Sequence, residues 1–199
     1  NYVNNYRGFY TENNMSFTTT TRWVDTSSPS SANSSSGSAY SGCNIGIIDY
    51  SYSYKRTNIP CGYYQIDIPS RRNEVYILIN GVTVYQNTVC CTGVTNAWRG
   101  VIQPSDKVEI RSSNVSPQGF LNANFTKLNE LSISAPVTIC ASTNASLSVV
   151  NTGTLPVTYS WTPAGSLSSS TGSAVIANPA ATTQYTVKAL ASGCAVFTN

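Results

Sequence analysis

Six cysteines, at positions 43, 61, 90, 91, 140 and 194, are the residues with the most obvious chemistry in this chain. They contain no Cys-x-x-Cys spacing, and the sequence has no histidine, so the paired thiolates or imidazoles of a structural zinc site are missing. Disulfides are the remaining use, and they place the chain in an oxidising, extracellular compartment. Cys140 and Cys194 are the only cysteines of the C-terminal part and are expected to pair. Cys43 and Cys61 are expected to bridge to Cys90 and Cys91 in either combination; the alternative, a strained bridge between the neighbours Cys90 and Cys91, is disfavoured by disulfide geometry. Three bridges would leave no free thiol.

The other reactive groups are sparse. Without histidine there is no triad of the Ser-His-Asp type. The eight acids are Glu12, Asp25, Asp49, Asp67, Glu74, Asp106, Glu109 and Glu130, and none sits in a recognisable catalytic motif. The expectation is therefore a non-catalytic protein with no cofactor. Net charge is +3, and the basic doublets Lys55-Arg56 and Arg71-Arg72 form no stripe of the kind that grips nucleic acid. No apolar run approaches the roughly 20 residues needed to cross a bilayer, so membrane insertion is not expected.

These side chains are carried by strands. Met15, Phe17, Thr19, Thr21 and Trp23 alternate on one face; so do Tyr50, Tyr52 and Tyr54, and Tyr64, Ile66 and Ile68. Val75, Ile77 and Ile79 lead into Asn80-Gly81 and then Val82 and Val84, a hairpin signal because both turn residues tolerate positive φ. Val108, Ile110, Leu121, Ala123 and Phe125 continue the pattern. The tyrosines Tyr50, Tyr52 and Tyr54 fit a buried ladder and an exposed binding stripe equally well. Thr26 to Gly42 is Ser-rich and predicts a long surface loop.

Near residue 129 the texture changes from Tyr-rich and charged to Thr, Ser, Ala and Val with few charges. The expected organisation is all-β, with one β-sandwich over 1–129 and a second over 130–199. The second carries about seven short strands, among them Val137–Ile139, Val157–Trp161 and Tyr185–Ala189, which suggests an immunoglobulin-like sandwich. Charged residues are only 10% of the chain, against about 25% in average soluble proteins, and hydroxyls and amides fill the gap. The start at Asn1 and the strand-like Ala195-Val196-Phe197 near the end suggest a piece of a longer secreted chain.

Two resemblances sharpen this. Val137 to Cys140, Tyr159-Ser160-Trp161-Thr162-Pro163-Ala164-Gly165, Asn178-Pro179, Thr182 to Val187 and Gly193-Cys194 resemble the immunoglobulin-like or polycystic-kidney-disease-type repeats of large Bacteroidetes surface proteins. Those repeats form stalks, exported by a type IX secretion system and anchored at the outer cell surface, with gliding-motility adhesins as prominent members. The resemblance implies neighbouring domains of the same long chain as partners. Gly8 to Glu12, Arg22-Trp23, Pro29 to Ala32, Tyr54 to Asn58, Pro60 to Pro69, Leu78 to Val82, Cys90-Cys91 and Trp98-Arg99-Gly100 resemble a second Bacteroidetes module. More distantly, that module is similar to the protective-antigen-type lectin sandwich.

In the lectins, an Asp-Asp pair after a Gly-Tyr-Tyr-Gln-Ile type of strand ligates a calcium ion that holds sugar hydroxyls. Arg72-Asn73 stands at that place here, and an arginine offers no oxygen ligand. The lectin likeness implies a rim formed by Arg71, Arg72, Asn73, Asn114, Gln118 and Gly119, made cationic by its two arginines. Such forks match the carboxylate or sulfate of acidic glycans. Three functions follow as expectations: an adhesive module that binds polysaccharide or a solid surface, a structural spacer in a surface filament, or an accessory domain of a secreted enzyme.

Overall fold

The computed structural model describes residues 6–23, 27–30, 40–116, 118–140 and 143–199. Most of the Ser-rich loop expected over Thr26 to Gly42 lies outside the described residues, as does Asp25. The fold is all-β and divides into two compact units. The first comprises Asn1–Pro60 and Tyr64–Lys127; the second comprises Cys61–Tyr63 and Leu128–Asn199.

Ten strands belong to the first unit: β1 (Gly8–Phe9), β2 (Phe17–Thr18), β3 (Ser41–Gly42), β4 (Tyr50–Arg56), β5 (Gly62–Arg71), β6 (Val75–Ile79), β7 (Val82–Asn87), β8 (Val94–Ile102), β9 (Val108–Asn114) and β10 (Leu121–Lys127). They form two four-stranded sheets, ordered β2-β10-β5-β8 and β4-β9-β6-β7, while β1 and β3 pair separately. One core joins the sheets: Ile66 and Ile68 from β5, Ile102 from β8 and Leu121 from β10 pack in the same cluster as Val75, Ile77, Val108 and Ile110 from the other sheet. This is a β-sandwich, with alternating apolar residues turned inward from both layers. Asn80 and Gly81 adopt φ of 53° and 82° and close the β6–β7 hairpin, as their types predict.

The tyrosine ladder is part of this interior. Tyr54 stacks on Phe17 with ring centroids 4.2 Å apart, Tyr52 meets Trp23 edge-on at 5.6 Å, and Tyr50 is buried. These offset and edge-to-face contacts are the favoured aromatic geometries. The expected strand Met15 to Trp23 is shorter than its alternation suggests. Only Phe17–Thr18 is extended, and Thr19–Thr21 forms a 3₁₀ turn. The Thr18 hydroxyl accepts from the Thr20 N–H, and the Thr21 hydroxyl donates to the Thr18 carbonyl, local bonds that compete with a ladder.

In the second unit β11 (Leu131–Ile133), β12 (Ala145–Asn151) and β14 (Ala174–Ala177) form one sheet, and β13 (Thr158–Thr162), β15 (Thr186–Ala191) and β16 (Cys194–Thr198) the other. Trp161, Val149, Val175, Val187 and Val196 fill the interior of this immunoglobulin-like sandwich, and the Trp161 indole N–H donates to the Gly172 carbonyl. The expected strand at Val137–Ile139 is absent: these residues pair with nothing in a sheet, and Val137 is 54% exposed. Residues 61–63, the root of β5, belong here, and the Leu128 N–H bonds the Tyr63 carbonyl at 2.7 Å.

That placement overturns the expected disulfides. Cys61 bridges Cys194, with Cα atoms 5.7 Å apart, well inside the usual range. Cys90 bridges its neighbour Cys91, and Cys43 and Cys140 are unpaired and exposed. Cysteines were expected to pair within segments contiguous in sequence, but the second unit recruits a piece of chain from the middle of the first. Alkylation of the unreduced protein should therefore label two thiols, on the peptides of Cys43 and Cys140. Full protection of all six cysteines would restore the three-bridge scheme.

Candidate functional site

The rim expected from the sequence is built at the end of β5. Pro69 lies in an interior strand, where its missing N–H is tolerated at a bulge. The register shows one: Ser70 faces Asn122 and Asp67 faces Asn124, so β5 spends one residue more than β10 over this stretch. The extra residue reverses the alternation that put Tyr64, Ile66 and Ile68 inside, and Arg71 turns inward.

Arg71 is 1% exposed, and it therefore does not contribute the exposed cationic fork expected of it. Its Nη1 donates to the Asn73 carbonyl at 2.6 Å, while Nε and Nη2 meet no hydrogen-bond partner among the described residues. A buried guanidinium so thinly paired is costly. Arg71→Met, which keeps the length of the chain and removes the charge, should raise stability by about 1–3 kcal/mol. Urea denaturation measures this; a loss of stability would mean that Arg71 holds the turn rather than strains it.

The remaining candidates gather around this arginine. Arg72 is half-buried, and its N–H bonds the Phe120 carbonyl at 3.1 Å, tying the turn to the start of β10. Asn73, also half-buried, donates through Nδ2 to Asn114 Oδ1 at 3.1 Å. Asn114 is fully buried and donates in turn to the Ile47 and Ser116 carbonyls. Gly119 is buried; its carbonyl accepts from the Trp23 indole, and a Cβ there would collide with the Tyr50 hydroxyl and the Asn114 amide. Burial pushes the Tyr50 phenol above its ordinary pKa, and the neighbouring Trp23 and Asn114 donors pull it the other way. Gln118 is exposed, and its backbone carbonyl accepts from Ser116. Arg71, Arg72, Asn73, Asn114 and Gly119 are thus linked through one network, with Gln118 on the loop beside it.

Sequence reasoning missed one member. Cys91 Sγ lies 3.3 Å from the Arg72 carbonyl oxygen. A disulfide sulfur has no hydrogen to donate, so this is a direct sulfur–oxygen contact. The vicinal cysteines were themselves the signal, but the expectation that they pair elsewhere removed them from the rim. No three His, Cys, Asp or Glu side chains among the described residues are grouped to hold a metal ion.

No family model matches the chain, and a search of curated proteins finds no match. Among solved structures the chain is similar to the apo β-glucuronidase of Ruminococcus gnavus, with a TM-score of 0.29 and 14% identity over 75% of this chain and 34% of that one. The same enzyme in complex with uronic isofagomine gives a TM-score of 0.29 at 12% identity. The chain spans about a third of the length of these enzymes. A likeness this slight carries no chemistry from them to this chain.

Proposed function

We propose that the chain is a non-catalytic, adhesive segment of a protein at the outer cell surface, whose first unit binds polysaccharide or a solid surface. The observation that carries this reading is the turn of Arg72 and Asn73 at one end of a rigid sandwich, held by the Asn73–Asn114 bond and by the Arg72 N–H on the Phe120 carbonyl. Binding groups are commonly held this way, on loops fixed by a scaffold, and the network keeps their geometry before a ligand arrives. The disulfides fit an extracellular setting. A surface rich in hydroxyls and amides suits many weak contacts, which a long chain of repeated segments converts into avidity. Gliding motility is one activity such a segment would serve.

A spacer role is the second reading, and the Cys61–Cys194 bridge favours it, since a covalent link across 133 positions suits a part that bears load. Adhesion separates the two. Beads coated with the full chain should be retained on polysaccharide-coated glass several-fold more than beads coated with an unrelated β-sandwich, and exchange of the exposed Gln118 for Ala should reduce the retention. Retention equal to the control would leave the spacer. Turnover of a glycan that disappears with one of the eight acids would replace both readings with an enzyme.

A further inference from the structure

We infer that the exposed Cys90–Cys91 disulfide and the Arg72 guanidinium together form a seat for one anionic sugar residue of a polysaccharide. The disulfide carries the apolar face of the sugar ring, and Arg72 takes its carboxylate or sulfate. This rests on the adhesive reading above and names what the rim would hold.

The first support is the disulfide itself. Both cysteines are exposed, and the bond between neighbours closes them into a small ring with no free side-chain rotation. A surface with no rotamers to lose gives up little entropy when a ligand is placed on it. Sulfur is polarizable and apolar, suited to the C–H face of a pyranose ring. Val89, 71% exposed, extends this apolar patch by one residue.

The second support is position. The contact between Cys91 Sγ and the Arg72 carbonyl places the disulfide against the turn that carries Arg72. A Cβ on Gly93 would collide with the Pro69 carbonyl oxygen, so the loop after the disulfide lies directly on the end of β5. Arg72 is fixed from the other side through Phe120. The disulfide, Val89 and the backbone of half-buried Arg72 therefore share one rim.

Charge selects the occupant. Neither Arg71 nor Arg72 has an acidic partner among the described residues. Arg71 sits under the turn, bonded to the Asn73 carbonyl, with its remaining donors unused and its charge poorly screened by water. With no ion-pair partner for either arginine among the described residues, the rim favours an anion. One half-buried arginine beside an apolar plate matches a single charged sugar. A nucleic-acid backbone would call for a stripe of positive charge. Arginine forks meet carboxylate and sulfate with similar geometry, so both remain open to the test.

The experiment uses the full oxidised chain and three immobilised polymers: alginate for carboxylates, dextran sulfate for sulfates and dextran as the neutral reference. Alginate or dextran sulfate should retain the chain at least tenfold better than dextran, and the better of the two identifies the anion. Arg72→Gln should lower that retention about tenfold, and Cys90→Ser with Cys91→Ser several-fold. Should the double variant lose its fold, Val89→Glu replaces it: this exposed site accepts a charge, and retention should again fall several-fold. Equal retention on dextran, or anionic binding indifferent to Arg72→Gln and Val89→Glu, would overturn the seat while leaving adhesion in place. Retention on none of the polymers, together with failure of the coated beads to adhere, would remove the adhesive reading as well.

Discussion

Stretched from its two ends, the oxidised chain should extend to only about 240 Å, against about 710 Å after reduction, at the roughly 3.6 Å a residue can span. The bridge between Cys61 and Cys194 encloses a separation of 133 positions. Force entering at Asn1 runs along the chain to Cys61, crosses the bridge and leaves through the last strand. Residues between the two cysteines stay out of the load path, and with them all of β5 to β15. The pairing expected from the sequence would lock two separate loops and give an intermediate length of about 350 Å. Single-molecule pulling with and without reductant distinguishes all three, and Cys61→Ala under oxidising conditions should reproduce the long trace. An unchanged length on reduction would remove the bridge from the account. By the chain-entropy relation, closing a loop of this size also stabilises the folded state by about 5 kcal/mol. The same bridge makes a cut at residue 129 a poor way to isolate the second unit, because the cut discards Cys61 and the residues 62 and 63 that pack with it.

Sandwich strands with a period of two were legible wherever the chain runs regularly. Val75, Ile77, Val108 and Ile110 alternate in the sequence and lie in one core, and Asn80-Gly81 marks a hairpin that forms. What escaped comes from breaks in that regularity. Arg71 reads as a surface residue if the alternation of Tyr64, Ile66 and Ile68 is continued, yet one bulge reverses it. Pro69 was the available warning, since a proline inside an interior strand calls for a bulge. The cysteine pairing escaped for a different reason. Texture divides the chain near residue 129, but composition cannot show that three residues at 61–63 join the later unit. Long-range pairing depends on where strands pack, and neither spacing nor counting supplies that. Resemblance to a lectin sandwich put Asn73 and Asn114 on a shared rim without foreseeing a contact; the structure bonds the two amides, with Asn114 fully buried.

Ile110→Ala should destabilise the first unit by about 3–4 kcal/mol and leave the second untouched. Ile110 occupies the middle of β9, the strand between β4 and β6, with Tyr54 and Ile77 as its register partners on either side. It has no exposed surface and belongs to the core that joins the two sheets. Removing three carbons there forfeits both the transfer of apolar surface from water and the contacts of the atoms left around a cavity. The surrounding strands, hydrogen-bonded on both sides, have little freedom to collapse into the space. Val82→Ala provides the contrast: on the edge strand β7, with Val82 66% exposed, the loss of two carbons should cost no more than about 0.5 kcal/mol. Hydrogen exchange resolves the effect by segment. Amides of β6 and β9 should lose protection in Ile110→Ala, while those of β15, built around Val187 and Ala189 in a separate interior, should keep theirs. A cost under about 1 kcal/mol would show that Ile110 does not sit between two closely packed sheets, since full burial in a core of native density does not allow so small a loss. Loss of protection in β15 of equal size would show instead that the two units unfold as one.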